Sequence, residues 1–252
     1  MKSSRYLFIY LFIFLCINTD GQAWAGVVMT GSRIIYSERA KDYSIQFSNK
    51  DEFPNIIQIW TDVDNPESTP ETANGPFAIF PSVFKINPMG GQMARLLYTG
   101  AKAPSDRESI YYLNFLQIPL VNKIDDSNKM LVMLRSRLKI FYRPDGISGS
   151  PHNVVNTLKF KLVHQKDGLY IFATNNSGYY ASLVNGKLTL SGEDFTVPVN
   201  MIPPYETSRW YVGNNIAMPN YNPISKFHFT LVNDQGGMVT KEYIINNIGD
   251  DL

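Results

Sequence analysis

Histidines, carboxylate clusters and nucleophile motifs are where chemistry would show first in this chain, and their spacing supports none. His152, His164 and His228 stand apart, with no metal-ligand spacing and no cysteine beside them, and read as surface or core histidines. Asp62, Asp64 and Glu67 gather three carboxylates in one short stretch. A calcium loop would need a glycine at its sharp turn, which is absent, and Pro66 stands where a ligand should be, so a solvated acidic loop is expected. There is no GxSxG elbow, no phosphate-cradling glycine loop and no HExxH; Gly90-Gly91 and Gly236-Gly237 read as turns. Catalysis would require a site assembled from distant residues. The sequence points instead to one stretch, MLVMLRSRLKIFYRP from Met130 to Pro144: five large apolar residues, then Arg135, Arg137 and Lys139 alternating with other residues.

A run this apolar, only a strand's length, predicts a β-strand. Both its faces are apolar, so both must be buried, inside one protein or between two. Three cations follow at once, so the run does not simply continue into a core. One face is expected to pack on its own domain and the other to be lent to a partner.

Around this stretch, apolar runs of strand length recur, near 27–29, 33–36, 43–47, 56–60, 77–80, 83–86, 94–98 and 110–118. Turn residues separate them, and no window carries a sustained helical stripe. Strands at this spacing without helices predict an antiparallel sandwich. The segment 62–75, with Pro66 and Pro70, reads as a long surface loop. Past Pro144 the stretch DGISGSP suits a joint between domains. A second set follows, near 158–163, 169–174, 179–183, 187–190, 195–197, 226–232 and 243–245, with Asp167-Gly168 and Asn185-Gly186 as hairpin-turn signals and further loops at Pro203-Pro204 and Asn222-Pro223. The expectation is all-β, two sandwich domains, residues 26–143 and 144–252. Asn175-Asn176-Ser177 matches a glycosylation acceptor, a motif short enough for chance.

With 23 basic against 22 acidic residues, the charge gives no case for nucleic acid or an anionic membrane surface. Residues 1–25 read as a signal peptide: Lys2 and Arg5, an apolar segment from Tyr6 to Ile17, then Ala23-Trp24-Ala25, with cleavage before Gly26. The apolar segment is shorter than the roughly 20 residues that span a bilayer, which disfavours an anchor. A lipoprotein site at Cys16 is poor because Phe14 and Leu15 are bulky. Cys16 is the sole cysteine, so the mature chain would have none, and a bacterial periplasm suits such an exported protein.

The stretch APSDRESIYYLNFLQIP, 103–119, resembles the signature of the PapD-like periplasmic pilus-assembly chaperones. Gly26-Val27-Val28 with Arg33-Ile34-Ile35-Tyr36 is similar to the start of the mature family chain, and LKIFYRP at 138–144 to the end of its first domain. Met201-Ile202-Pro203-Pro204 and VNDQGG at 232–237 resemble words of its second domain. The resemblance spans essentially everything from Gly26 onward. It implies two immunoglobulin-like β-sandwich domains in a boomerang arrangement, no catalysis, no cofactor and no metal. It further implies binding of fimbrial (pilin) subunits by donor-strand complementation and delivery to an outer-membrane usher, in the periplasm.

Carried onto this chain, the resemblance implies that Met130, Val132 and Leu134 insert into the subunit and that Arg33 and Lys139 grip its terminal carboxylate in the interdomain cleft. Glu108, Arg143 and Asp234 match a salt-bridge network between the domains. In a regular strand Lys139 would face away from Met130, Val132 and Leu134, so a bulge or strong twist is expected between Leu134 and Leu138. The short connection at 121–129 and the missing cysteine pair place the chain with the family's short-loop branch. A self-capping homodimer, each copy covering the other's 130–134 run, is a further expectation; nucleic acid and membrane insertion after signal cleavage are not. Two rivals stay open. One is a secreted adhesin with its last first-domain strand satisfied internally. The other is a hydrolase or carbohydrate-binding sandwich, for which Trp60, Trp210 and Tyr211 are too scattered to argue.

Overall fold

The computed structural model describes residues 26–100, 102–120, 130–214, 216, 225–245 and 248–250. The expected leader at 1–25, the connection at 121–129 and the Asn222-Pro223 loop lie outside the described residues.

Alternating apolar residues build two sandwiches. In the first, β1 (Val27–Met29), β3 (Tyr43–Asn49), β7 (Gly91–Tyr98) and β5 (Phe77–Phe80) form one sheet in that order. The facing sheet runs β2 (Arg33–Ser37), β9 (Leu134–Arg143), β8 (Ser109–Pro119), β4 (Asn55–Asp62) and β6 (Val83–Ile86). Side chains of alternate residues fill the gap, Ile34 and Tyr36 from β2, Ile45 and Phe47 from β3, Leu113 and Phe115 from β8, Ile140 and Tyr142 from β9. Each fully buried isoleucine or leucine contributes about 1.5–3 kcal/mol. Tyr98 stacks on Tyr142 with ring centroids 4.2 Å apart, and its N–H donates to Tyr36 Oη at 3.1 Å, tying the two sheets at this end of the core.

The second sandwich packs β14 (Thr207–Gly213), β11 (Gly168–Asn175), β10 (Leu158–Gln165) and β17 (Ile248–Asp250) against β13 (Glu193–Val197), β12 (Leu183–Leu190), β15 (Ser225–Val232) and β16 (Met238–Ile245). Phe160, Trp210, Phe227 and Phe229 centre its core, with Phe160 4.9 Å from each of the last two. Between the sandwiches, Ile147 of the connecting stretch is buried in this second core, and a single helical turn, α1 (Val154–Thr157), leads into β10.

Several local expectations are corrected. The sandwiches are not purely antiparallel: β2 pairs β9 and β17 pairs β10 in parallel. The chain start crosses from one sheet to the other over Gly31, at φ +88°, and so reaches β9 running in its direction. Asn185-Gly186 is no turn but lies inside β12, beside an irregular register between Leu183 and Asn185. The run 179–183 is not a strand before Leu183; Ala181 makes an isolated bridge to Ile202. Trp60 and Trp210 are buried, which removes them from any sugar-stacking surface. Asn175 is buried, its amide donating to the carbonyls of Tyr179, Ile202 and Pro203, and so braces a loop instead of accepting a glycan.

Candidate functional site

β9 carries the site. Its antiparallel ladder with β8 runs without a register shift from Gln117↔Leu134 to Ser109↔Tyr142. The bulge expected between Leu134 and Leu138 is therefore absent. Even-numbered residues through Ile140 and Tyr142 face the core, and Arg135, Arg137, Lys139, Phe141 and Arg143 face outward. Leu134 stands on the core-side face, opposite to Lys139. The regular ladder keeps Leu134 and Lys139 on opposite faces, so the two do not meet a client with one shared face as the expected bulge required. A terminal carboxylate of a strand paired with β9 would instead lie at backbone level, where a side chain from either face reaches it.

β9 begins at Leu134, so Met130 and Val132 lie outside the strands. One further step along the ladder would bring Val132 opposite Pro119, whose ring nitrogen has no proton to donate. The 130–134 run is exposed, from 47% at Leu131 to 90% at Met130. On the other side of β9 stands β2, but only from Arg33↔Lys139 to Ser37↔Arg143. Among the described residues, 134–138 have β8 on one side and an unpaired backbone edge on the other. That open slot, one strand wide, ends where Arg33 and Lys139 stand side by side.

Neither cation has a carboxylate partner among the described residues. Burial pushes the Lys139 ammonium below the usual lysine range, and the neighbouring Arg33 charge pushes the same way. Burial also lowers the Arg33 guanidinium, against the attraction of Asp234. Arg33 Nη1 donates to the Val232 carbonyl at 3.1 Å, while its Nε is buried without a partner. Two half-buried like charges side by side form a site that an anion would stabilise.

Glu108, Arg143 and Asp234 are brought together across the two sandwiches. Arg143 donates to Glu108 through Nε at 2.7 Å and to both Asp234 oxygens at 2.8 and 3.0 Å. The other Glu108 oxygen accepts the Tyr180 N–H at 2.8 Å, and the Glu108 N–H donates to the Gly178 carbonyl. Gly178 is required there, since a Cβ would come within 2.7 Å of the Asp106 carbonyl. Burial raises the Glu108 carboxyl, and Arg143 works against that rise.

A second polar group was not legible beforehand. Asp62, expected in a solvated loop, is the last residue of β4 and fully buried. It accepts from Arg137 at 2.6 Å, Asn114 at 2.5 Å, Ser68 at 3.0 Å and the Asn65 N–H at 2.8 Å. Burial alone would raise its carboxyl; these donors outweigh it and hold it below the usual range. Arg137 lies over the Tyr112 ring at 3.4 Å and Arg135 over Trp60 at 5.1 Å, with Arg135 also donating to Asn114. The two arginines thus staple the outward face of β9 to β8 and β4. The alternation Arg135, Arg137 was the available signal, and its partners lay too far along the chain to be paired with it. The histidines do not converge: among the described residues no group of histidine, cysteine, aspartate and glutamate could hold a metal. Tyr211 is exposed, without Trp60 or Trp210 beside it as a stacking platform.

Comparison with known proteins matches residues 26–148 to the family model of the pili and flagellar-assembly chaperone PapD N-terminal domain, and 153–243 to that of the pili assembly chaperone PapD C-terminal domain. The chain is 30% identical over 228 residues to the probable fimbrial chaperone YadV of Escherichia coli K12, covering 89% of this chain and 92% of that one. The crystal structure of YadV superposes with a TM-score of 0.73, covering 88% of this chain and all of the other. The Pseudomonas aeruginosa CupB2 chaperone superposes at 0.70, with 25% identity over 86% of this chain and all of that one. The fold is shared as well by Salmonella enterica SafB, solved in complex with the SafA pilin, at 0.69 and 20% identity over 87% of this chain and 96% of that one.

Proposed function

The chain belongs to the PapD family of pilus-assembly chaperones, and from that premise we propose that it is a periplasmic chaperone that holds fimbrial subunits by donor-strand complementation and delivers them to an outer-membrane usher. The observation that carries this reading is the slot beside 134–138. A strand entering it parallel to β9 would lie end to end with β2, and its last residue would arrive at Arg33 and Lys139. Its carboxylate would then receive two charge-assisted hydrogen bonds, about 1.5–3 kcal/mol each. Upstream, Met130, Val132 and Leu134 would cover the apolar groove of a subunit sandwich that lacks a strand of its own. SafB, bound to a pilin, is a relative in fold with a partner of this kind.

In this reading residues 1–25 are the leader, 26–143 the first chaperone domain and 144–252 the second. Glu108, Arg143 and Asp234 hold the angle between them. The protein is no enzyme, and neither cofactor nor nucleotide takes part; folding of the client supplies the free energy. Among the described residues no helix is long and apolar enough to cross a membrane.

The test is co-purification of the tagged mature protein from cells expressing the fimbrial subunits encoded beside it. Wild type is expected to retain a subunit in equimolar amount. Arg33→Ala and Lys139→Ala are expected to weaken retention about tenfold or more while remaining folded. A wild-type protein that retains nothing, with soluble subunits present, sinks the reading and advances the adhesin.

Free of a client, the exposed 130–134 run would favour a self-capping pair. Sedimentation is expected to give a mass that rises with concentration for wild type and not for Val132→Asp. A single monomer mass for wild type throughout would remove the dimer.

A further inference from the structure

One turn of the second domain touches both arginines of the cleft. The Val232 carbonyl, at the end of β15, accepts from Arg33. Two residues on, Asp234 takes the forked pair of bonds from Arg143. Two further on, Gly236 lies against Ser32, the residue before β2, so closely that a Cβ would come 2.8 Å from Ser32 Oγ. The turn is braced from within. Asn233 Oδ1 accepts the N–H groups of Gln235 and Gly237 at 3.1 and 2.7 Å, and the Asn233 carbonyl accepts that of Gly236 at 3.0 Å. Its stem is fixed by the Val232 N–H, which donates to the Ser182 carbonyl at 2.9 Å.

Arg33 takes little orientation from its own domain. Its Nε is buried without a partner among the described residues, and the Phe141 ring lies 5.9 Å from its guanidinium carbon. Its hydrogen bond goes to the other domain. A long side chain held at one end by a rigid carbonyl keeps its remaining donors aimed one way, which is what recognition of a planar carboxylate needs.

We propose that Val232 and the 233–237 turn it leads into form the positioning element for Arg33, so that the client-carboxylate anchor is a two-domain site. This rests on the donor-strand reading above. Because the same turn holds Arg143, carboxylate binding and interdomain packing stabilise one another, and by linkage each strengthens the other equally. A client then tightens the joint it binds beside.

The experiment compares full-length mature protein binding two forms of one synthetic peptide of alternating apolar residues, ending in a free carboxylate or in an amide. Wild type is expected to prefer the carboxylate at least about tenfold. Gly236→Leu, which wedges against Ser32, and Asn233→Ala, which removes two braces of the turn, are expected to bring that preference below about threefold while amide binding holds. Gly192→Leu is the control for backbone strain, since Gly192 has φ +87° against +83° at Gly236 but nothing within 4 Å of its Cβ position; it is expected to keep the wild-type preference. Hydrogen exchange at the Gly236 and Gly237 amides is expected to slow with the carboxylate peptide and not with the amide. A Gly236→Leu protein that still prefers the carboxylate tenfold overturns the positioning role alone. A wild type with no preference overturns the anchor and the positioning role together.

Discussion

Arg143→Ala is expected to destabilise the protein by about 3–5 kcal/mol at neutral pH, because it strands a carboxylate that has nowhere to go. The Glu108 side chain is 2% exposed and loses its one cationic partner among the described residues. The Tyr180 N–H remains, which satisfies one oxygen and leaves the charge uncompensated. Asp234, nearer to solvent, can rehydrate and contributes less. The pH dependence identifies the cause. Burial already raises the Glu108 carboxyl, and Arg143 is the principal influence holding it down. Without the guanidinium the folded-state value rises further above the unfolded one, so the folded protein binds more protons than the unfolded chain in that window. Stability of the variant therefore increases as pH falls from neutrality, and the deficit against wild type narrows. Calorimetry at several pH values checks this, with a midpoint drop on the order of 10 °C at neutral pH. A deficit that does not change with pH would assign the loss to the Tyr179 ring, over which the Arg143 guanidinium lies at 5.2 Å, instead of to Glu108.

Arg137→Ala should cost about 2–3 kcal/mol, somewhat less, because Asp62 keeps its other donors. Asn114, Ser68 and the Asn65 N–H remain in place around a fully buried carboxylate. The sign with pH is set by the wild type. Its Asp62 carboxyl is held below the ordinary value, so the folded state disfavours the proton. That contribution is present above the unfolded value and is lost as pH falls through the folded one. Wild type is expected to lose stability in acid across that interval, and Arg137→Ala to show a shallower loss. Because Arg137 and Arg135 fix the outward face of β9, the variant should also fray the strand at Leu134 to Leu138. Faster amide exchange there, with exchange in β15 unchanged, is the expected pattern; uniform acceleration throughout would count against a local staple.

Strand positions were legible wherever apolar residues alternate between turn residues. Val27–Met29, Phe77–Phe80 and Val83–Ile86 end where the sequence pattern ends. Legibility failed where tertiary pairing decides. β14 sets Ser208 beside Trp210 on its inward face and Arg209 and Tyr211 on the other, and so offers no clean apolar alternation, yet β11 pairs with it from Leu169 to Thr174. Asn185-Gly186 has the composition of a turn, but β13 and β15 flank it and draw it into a ladder. Residues 130–133 are as apolar as any strand and remain outside one: the ladder with β8 stops at Gln117↔Leu134, and the next step meets Pro119, which has no N–H to continue it. In the site, Arg33, Lys139, Glu108, Arg143 and Asp234 are named through family resemblance, and the fold supplies their geometry. The Asp62 network had no such guide, and charge composition alone cannot tell a buried aspartate from a solvated one.

Arg33 and Lys139 stand at the closed end of the slot, where β2 takes over as the neighbour of β9. A carboxylate at that level exists once in a polypeptide, on its final residue, and for a chain threaded across a membrane from its beginning it is the last group to emerge. Internal segments of similar apolar pattern would run on into β2 and be refused. On the donor-strand reading proposed above, a client would be captured in register only once its synthesis and export were complete, and the cleft would check whether a chain has been finished.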